Sequence, residues 1–400
     1  MKSPYNLLLG FLLFAIVVFS GFPAYSLQLE QTEKQVALLR EDIGALLEPI
    51  RQQYGVPALA AAVVKGDSII ALGVTGFRVE GEKGLARVSD KFNLGSCTKS
   101  MTATVAGILV NMQKVSWDLT LEKSFPLLST SMNPSYKDVN LRQLLSHLGG
   151  MPRDGADVEI SPGTSLWSRV WENEIAKMLP RNQRYALVEA TIKKEPAVTP
   201  GETFLYSNLG VATAGAMLEQ SMNESWESLI DTYLFKPLGM SSAGFGHPAS
   251  PKKRDQPWGH LRRENGKLAP VEPGAPGSYN PPAIGPAGTV HCNIEDFAKY
   301  AAFHIRGSKG VDRAVPIEVF QMLHTPDKGR DYALGWAATE REWGGGTVLT
   351  HTGSNGMFFS VMWLAPLRDF AVVVVCNAGG EASATACDQT AGALINKYLP

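Results

Sequence analysis

The chain has 400 residues, of which 44% are hydrophobic and 19% are charged, a composition typical of a soluble globular protein with a large core. Its 37 Lys and Arg residues balance 38 Asp and Glu residues, giving a formal net charge of −1 at pH 7. A near-neutral chain without runs of like charge excludes the electrostatic pattern of a nucleic-acid-binding protein.

The N-terminal segment has the pattern of a secretory signal peptide. Lys2 precedes an apolar stretch from Leu7 to Phe19, and small residues follow up to Ser26. Cleavage is predicted after Ser26, so residues 1–26 are assigned to the signal peptide and the mature chain is expected to be periplasmic or secreted. The alternative is an uncleaved membrane anchor, for which the apolar stretch is short.

The next segment predicts a helix, two strands and a second helix. Apolar residues at helical spacing predict an amphipathic helix over Gln28–Tyr54 that ends near Gly55. Two short apolar runs, Ala58–Val64 and Ser68–Val74, flank a turn and predict a pair of strands. A mostly apolar helix is predicted over Thr98–Met112, shortly after Gly95-Ser96.

Residues 113–284 differ in character, because helical segments alternate with long loops rich in Gly and Pro. The predicted helices are Leu141–Leu148, Tyr185–Lys193, Leu209–Ser221 and Trp226–Leu234. The stretch Pro270–Pro286 is predicted to be an ordered surface loop.

The C-terminal part predicts strands between two helices. A helix is predicted over Asn293–His304 with Asn293 as its N-cap, and another over Ala382–Tyr398. The apolar runs between them predict strands at Thr347–Thr350, Met357–Leu364 and Phe370–Cys376.

Strands near both ends with helices between them predict an α/β (α+β) fold, in which an antiparallel sheet built from N- and C-terminal segments is flanked by helices. We expect a single domain over residues 27–400. Its α/β part would comprise about 27–112 and 285–400, and a mostly helical insert about 113–284.

The cysteines leave two alternatives open. Cys376 and Cys387 are close in sequence, and an exported compartment permits a disulfide between them. Alternatively, both are buried thiols that pack as small hydrophobic groups. The histidines show no metal-ligand spacing, so no metal site is predicted and each of these is expected to be structural: His147, His247, His260, His291, His304 and His324.

Ser96 and Lys99 form the first candidate catalytic pair. Residues three apart at the start of a helix share one face, so the hydroxyl and the amine would meet. A lysine that is neutral part of the time can take the proton of a serine nucleophile. The alternative is that Ser96 caps the helix and Lys99 is solvated. Cys97 is a rival nucleophile, but its side chain would project away from Lys99 and pack inward.

Tyr206 and Asn208 form a second candidate element, placed on a loop just before a predicted helix. A tyrosine hydroxyl beside an ammonium group loses its proton more easily and can act as a base or proton relay. The alternative is a core tyrosine followed by Asn208 as an N-cap.

The third element is His351-Thr352-Gly353 at the end of an apolar strand, with Ser354 after it. Gly353 would let a substrate backbone approach the strand edge. The N–H groups of Ser354 and Ser96 are predicted to form an oxyanion hole, and His351 and Thr352 to hydrogen bond a substrate carboxylate. The alternative is a polar turn between two strands.

Together, Ser96-x-x-Lys99, Tyr206-x-Asn208 and His351-x-Gly353 resemble the serine β-lactamase and penicillin-binding protein superfamily. The Tyr-x-Asn element is similar to that of the class C β-lactamase-like group, whose DD-peptidase and esterase-like members often have His-x-Gly as the third element. The likeness extends over about residues 40–398 and includes the segments Phe92–Gly95, Leu144–Pro152 and Leu334–Trp336.

The resemblance implies a role for each residue. Ser96 would be the acylated nucleophile, Lys99 its base and Tyr206 the proton shuttle, while Asn208 would orient Lys99 and the substrate amide. His351, Thr352 and Gly353 would form the substrate-binding strand edge, with Ser354 and Ser96 supplying the oxyanion hole.

His351 departs from class C β-lactamases proper, which have Lys at this position. A neutral imidazole holds a β-lactam carboxylate less firmly than a fixed cation does. The expected function is therefore an exported serine hydrolase acting on a small amide, a D-Ala-type peptide or an ester. A true β-lactamase is the alternative, and a non-catalytic penicillin-binding sensor or scaffold is a third reading. No cofactor, metal or nucleic acid is expected as a partner, membrane attachment is expected only if the signal segment stays uncleaved, and the oligomeric state is left open.

Overall fold

A computed structural model describes residues 40–399 apart from positions 162, 173, 276 and 313. The predicted signal peptide and the first part of the predicted N-terminal helix lie outside these residues. Within the described part of the chain, no helix combines the length and the apolar character needed to cross a bilayer.

The strands fall into one large sheet and three small ones. In chain order they are β1 Glu41–Asp42, β2 Ala58–Lys65, β3 Ser68–Gly76, β4 Lys91–Asn93, β5 Glu159–Ser161, β6 Thr164–Ser165, β7 Gly244–Phe245, β8 Gly259–Arg262, β9 Leu268–Val271, β10 Val290–Asn293, β11 Ala337–Arg341, β12 Gly346–Ser354, β13 Phe359–Ala365 and β14 Phe370–Cys376. The large sheet has the order β1-β3-β2-β14-β13-β12-β11, and its six long strands are antiparallel.

The described residues form twelve α-helices. They are α1 Gly44–Tyr54, α2 Thr98–Asn111, α3 Leu121–Ser124, α4 Leu141–Leu145, α5 Leu166–Glu172, α6 Pro180–Ile192, α7 Asn208–Met222, α8 Trp226–Ile230, α9 Gly285–Gly288, α10 Ile294–Ser308, α11 Ile317–His324 and α12 Glu381–Tyr398. The α/β fold with an antiparallel sheet is therefore confirmed, and α3–α8 lie within residues 113–284.

The central strands are buried on both faces, which explains their continuous apolar sequences. Along β2, Ala60, Ala62 and Val64 belong to the larger core, which also includes residues of α2 and α10. The alternate residues Leu59, Ala61 and Val63 belong to a second core shared with α1 and α12. One sheet thus separates two hydrophobic layers, and the candidate catalytic residues lie on the side of the larger one.

The predicted N-terminal helix is interrupted within the described residues. Among the described residues it begins at Gly44, and the strand Glu41–Asp42 precedes it; Ile43 is buried there and its N–H bonds to the carbonyl of Leu72. The predicted start at Gln28 lies outside the described residues. Its end was predicted correctly: Gly55 adopts a left-handed φ of 57° and stops the helix.

Two predictions in the middle of the chain need correction. The helix predicted over Trp226–Leu234 is α-helical only to Ile230 and continues as a π-helix over Asp231–Phe235. The predicted surface loop Pro270–Pro286 ends in buried structure, since Pro286 is buried in α9 and its carbonyl accepts a 2.7 Å hydrogen bond from Thr102 Oγ1. The end of this loop is therefore part of the wall beside α2.

All four cysteines are free and buried. The alternative of small hydrophobic thiols therefore holds, and Cys376 and Cys387 are not bridged.

Candidate active site

Ser96 lies in a single turn of 3₁₀-helix, Gly95–Cys97, that leads directly into α2. Gly95 has a φ of 48°, a left-handed conformation that side chains disfavour, and its N–H bonds to Asn93 Oδ1 at 2.9 Å. No side chain caps this turn or α2, so the alternative reading of Ser96 as a helix cap is wrong. The tight turn presents the hydroxyl at the start of the helix.

Lys99 is fully buried, so the alternative of a solvated lysine is also wrong. Its Nζ donates to three acceptors: Ser96 Oγ at 2.9 Å, Asn208 Oδ1 at 2.7 Å and the carbonyl of Ala287 at 2.8 Å. Burial lowers the pKa of Lys99 to about 7, against the opposing charge of Asp154. A neutral amine is therefore accessible near neutral pH, with its lone pair available to the Ser96 hydroxyl.

Cys97 faces away from this pair, as predicted. Its thiol is buried, 3.3 Å from the carbonyl of His351 and 3.2 Å from Ser360 Oγ. Burial raises the pKa of Cys97 to about 12, which leaves a thiol rather than a reactive thiolate.

Tyr206 lies over the lysine. The Lys99 Nζ is 4.8 Å from the centre of its ring, and the Ser96 side chain acts to lower the pKa of the phenol. Burial nevertheless raises the pKa of Tyr206 above its usual value. The expectation of an easily ionised tyrosine is therefore wrong, because desolvation outweighs the opposing effect of the Ser96 side chain on the pKa of the phenol. The phenol is a neutral donor and acceptor suited to relaying a proton.

Asn208 is the first residue of α7, and the preceding Ser207 is the N-cap, since its Oγ accepts the N–H of Gly210 at 2.8 Å. The side chain of Asn208 is thereby free to bind Lys99, and the alternative reading of Asn208 as the cap is wrong. Its Nδ2 donates to Asp154 Oδ2 at 3.1 Å. Sequence reasoning missed Asp154, and no spacing rule connects it with Asn208.

The strand β12 lies directly against the Ser96 turn. A Cβ at position 353 would lie 2.7 Å from the N of Ser96 and against the carbonyl oxygen of Leu94, and a Cβ at Gly95 would contact the N of Ser354. Gly353 thus lets the Ser96 turn pack directly against β12. The sequence had instead predicted that this glycine lets a substrate backbone approach the strand edge. The two N–H groups predicted to form the oxyanion hole lie on neighbouring backbone segments.

His351 is occupied by protein partners on both ring nitrogens. Its Nδ1 lies 2.6 Å from the carbonyl of Thr352 and its Nε2 lies 3.0 Å from the hydroxyl of Tyr332. Because a carbonyl only accepts, Nδ1 carries the proton and Nε2 accepts from Tyr332. Burial, with the charge of Lys99, lowers the pKa of His351 to about 4. The prediction that His351 hydrogen bonds a substrate carboxylate therefore does not fit this geometry.

A cleft of about 500 Å³ opens Ser96 and Tyr206 to solvent, with Thr352 exposed in it and Lys99 buried behind it. Its lining has no charged side chain and consists of Ser96, Tyr206, Tyr332, Ala337, Thr350, His351, Thr352, Gly353, Ser354, Phe359 and Trp363. A cavity of about 570 Å³ lies beside Arg153 and Leu205 and contains no candidate catalytic residue, so we identify the site by its chemistry rather than by size.

His147 lies behind the cleft rather than in its lining. It accepts the N–H of Ser207 at Nδ1, 3.1 Å away, and its ring packs 4.3 Å from that of Tyr206. Among the described residues, no group of three or more His, Cys, Asp or Glu is arranged to hold a metal ion.

The chain matches a known protein family over most of its length. The family described as Beta-lactamase matches residues 43–396. The chain is 24% identical over 376 residues to the unguisins hydrolase ungD' of Aspergillus campestris, covering 87% of this chain and 64% of that protein. It is 21% identical over 344 residues to protein flp of Staphylococcus aureus, covering 86% of this chain and 64% of the relative. The chain thus spans about 64% of the length of these relatives.

Solved structures share the fold. The octameric penicillin-binding protein homologue from Pyrococcus abyssi superimposes with a TM-score of 0.70 at 22% identity, covering 88% of this chain and 76% of that one. A D-stereospecific amidohydrolase from Streptomyces sp. gives a TM-score of 0.65 at 20% identity, covering 87% and 98%.

Proposed function

This chain belongs to the Beta-lactamase family, and we propose that it is a serine hydrolase of the β-lactamase and penicillin-binding protein superfamily that cleaves a small amide, peptide or ester through an acyl-enzyme on Ser96. The observation that carries the proposal is the buried amine of Lys99 at 2.9 Å from Ser96 Oγ. A lysine with a pKa of about 7 is neutral in a large fraction of molecules at neutral pH.

Acylation would begin when Ser96 Oγ attacks the substrate carbonyl carbon and its proton passes to Lys99 Nζ. The carbonyl oxygen would take the negative charge and accept hydrogen bonds from the N–H groups of Ser96 and Ser354. Tyr206 would then donate its hydroxyl proton to the leaving nitrogen or oxygen and recover one from Lys99. The bond to the leaving group breaks and the acyl ester on Ser96 remains.

Deacylation would repeat these transfers with water as the nucleophile. Tyr206 lines the cleft together with Ser96 and lies over Lys99, so it would accept a proton from that water while passing its own to Lys99. Proton transfer back to Ser96 Oγ would release the acid and restore the free enzyme.

The cleft favours substrates without a carboxylate at the bond being cleaved. Its lining is uncharged, and both nitrogens of the neutral His351 are occupied. Only the hydroxyls of exposed residues such as Thr352 would meet a substrate anion. We therefore place neutral amides and esters first, D-Ala-D-Ala peptides with a free carboxylate second, and β-lactams last.

The names of similar proteins support an amide substrate. One is a hydrolase named for unguisins and another a D-stereospecific amidohydrolase. We further propose that the protein is exported after cleavage of residues 1–26 and that it is related to the class C group. With each catalytic position filled, the non-catalytic sensor or scaffold has no observation in its favour.

The test of nucleophile identity is labelling of the purified protein with a fluorescent fluorophosphonate. We expect the wild type and Cys97→Ser to be labelled and Ser96→Ala to remain unlabelled. Labelling that persists in Ser96→Ala and disappears in Cys97→Ser would refute the assignment.

A hydrolysis panel tests the substrate order. It would contain p-nitrophenyl esters, D-amino acid amides, nitrocefin, and an acyl-D-Ala-D-Ala peptide beside its C-terminal amide. We expect the peptide amide to be cleaved with a higher kcat/KM than the free acid, and nitrocefin to be the poorest substrate. Fast turnover of nitrocefin without accumulation of an acyl-enzyme would instead establish a β-lactamase.

A further inference from the structure

The loop that contains Asp154 is tied to the start of α7 by three hydrogen bonds. Ser207 Oγ donates to the carbonyl of Pro152 at 2.5 Å, the N–H of Asn208 donates to the carbonyl of Arg153 at 2.9 Å, and Asn208 Nδ2 donates to Asp154 Oδ2 at 3.1 Å. The last bond joins two side chains, so it acts on the orientation of the Asn208 amide and not only on the backbone.

A carboxylate fixes that orientation because it can only accept hydrogen bonds. Nδ2 of Asn208 must face Asp154, and Oδ1 then faces Lys99, which donates to it at 2.7 Å. If the amide were flipped, its NH₂ group would point toward the ammonium form of Lys99, and two hydrogen-bond donors would face each other. The side chains of Asp154, Asn208, Lys99 and Ser96 thus form one continuous hydrogen-bonded row.

Asp154 also acts on Lys99 through its charge. One of its oxygens is buried without a hydrogen-bond partner, so the carboxylate is only partly solvated. Burial and the nearby charge of Asp157 raise the pKa of Asp154, while hydrogen bonds from Asn208 and Gly155 and the charge of Lys99 favour its ionised form. The charge of Asp154 in turn favours the ammonium form of Lys99.

The other ionisable groups around Lys99 do not supply a competing negative charge. Burial holds the two histidines neutral and the phenol and thiol protonated; these groups are His147, His351, Tyr206 and Cys97. Among the described residues, Asp154 is therefore the carboxylate that sets the charge balance at the amine.

We propose that Asp154 is a positioning residue of the acyl-transfer site, which orients the Asn208 amide and, by its charge, sets the pH at which Lys99 becomes a competent base. The inference rests on the proposed function, because it assigns Lys99 the role of base for Ser96.

The test compares wild type, Asp154→Asn, Asp154→Ala and the control Asp138→Asn, which removes the same charge from an exposed residue. The rate of fluorophosphonate labelling and kcat/KM for a p-nitrophenyl ester are measured from pH 5 to 9. Asp154→Asn keeps the shape and an acceptor oxygen but loses the charge. Because the charge of Asp154 favours the ammonium form of Lys99, its loss should lower the pKa of Lys99. We therefore expect the acid limb of both profiles to move to lower pH by about 0.5–1 unit, a smaller shift than the loss of a directly contacting charge would cause.

Asp154→Ala removes the acceptor as well, so we expect kcat to fall by about tenfold or more with KM changed little, since orientation of a catalytic group is lost. In an Asn208→Ala background, measured at a pH above the acid limb where Lys99 is already neutral, the same change should have no further effect on kcat, because the orienting effect of Asp154 passes through Asn208. The control Asp138→Asn should keep the wild-type profile.

The proposal is overturned if Asp154→Asn keeps the wild-type acid limb or shifts it to higher pH. It is also overturned if the effects of Asp154→Ala and Asn208→Ala on kcat are additive. If Asp154→Ala shows no cooperative thermal transition, that variant is not folded, and the pH midpoint of Asp154→Asn alone tests the proposal. A wild type that is neither labelled nor active refutes the proposed function, whereas an active wild type with an unchanged Asp154→Asn refutes only this inference.

Discussion

At the scale of single residues, the chemistry of the site depends on how burial changes acid–base behaviour. Lys99 has no solvent exposure and donates to three hydrogen-bond acceptors, and burial lowers its pKa to about 7, so the neutral amine is well populated at pH 7. Tyr206 is moved in the opposite direction, toward a protonated phenol. The same desolvation thus produces a base and a proton carrier side by side.

The pH dependence of catalysis follows from Lys99. Its active form is the neutral amine, and its pKa is lowered from 10.5 to about 7, so kcat/KM should rise with pH through a midpoint near 7. Lys99→Arg should lower kcat/KM by about 10³-fold, because a guanidinium stays charged. Ester hydrolysis from pH 5 to 9 measures both, and an acid limb near pH 4 would assign the base to another group.

The sequence could predict contacts only between residues that are close together in the chain. Ser96 and Lys99 are three residues apart on one helical turn, and their meeting was predictable. The partnerships of Asp154 with Asn208 and of Tyr332 with His351 were not, because they join side chains from different loops and strands. Sequence also could not give the pKa of Tyr206, which depends on burial by the complete fold.

At the scale of elements, the site depends on contact between the Ser96 turn and β12. Here Gly353 approaches Leu94 and Ser96 so closely that no side chain fits between the two backbones. The strand β14 was predicted with its observed bounds, but β12 was predicted to end at Thr350 and extends to Ser354, and this backbone contact was not predicted. Sequence attributed Gly353 to substrate approach, since the packing partner lies more than two hundred residues away.

Gly353→Ala tests that contact. The added Cβ would meet backbone atoms of the nucleophile turn, so we expect kcat/KM to fall by about 100-fold or more as Ser96 is displaced. The matched control is Gly392→Ala within α12, where a Cβ meets nothing within 4 Å. That change should leave activity intact and raise the unfolding free energy by up to about 1 kcal/mol. A fully active Gly353→Ala would show that the Ser96 turn tolerates displacement.

At the scale of the whole molecule, the helical region and the sheet region share the site between them. Lys99 on α2 depends on the carbonyl of Ala287, and the turn before α9 is held by Arg184, whose Nη1 donates to the carbonyl of Pro282 at 2.7 Å. Arg184 is buried and also pairs with Glu219 at 2.6 Å and Glu227 at 2.7 Å. This ion cluster joins α6, α7 and α8 to one wall of the active site.

Glu219→Ala tests that connection. It leaves a buried guanidinium short of one partner, so we expect the unfolding free energy to fall by about 3–5 kcal/mol. The control Glu189→Ala removes the exposed i,i+4 pair with Lys193 and should cost less than about 0.5 kcal/mol. Chemical denaturation of both variants measures the difference, and equal losses would mean that the cluster adds nothing beyond a surface pair.

The central sheet has a consequence for the synthesis of the protein. Strand β2 pairs with β14, and the N–H of Ala58 bonds to Asn377 Oδ1, 319 residues further along the chain. At a translation rate of about 5–20 residues per second, β14 is synthesised roughly 15–60 s after β2. The nascent chain therefore carries Ser96 and Lys99 long before β12 exists to support them. The nucleophile becomes functional only when the last strands have been translated, so a chain that stops early is released without an assembled active site.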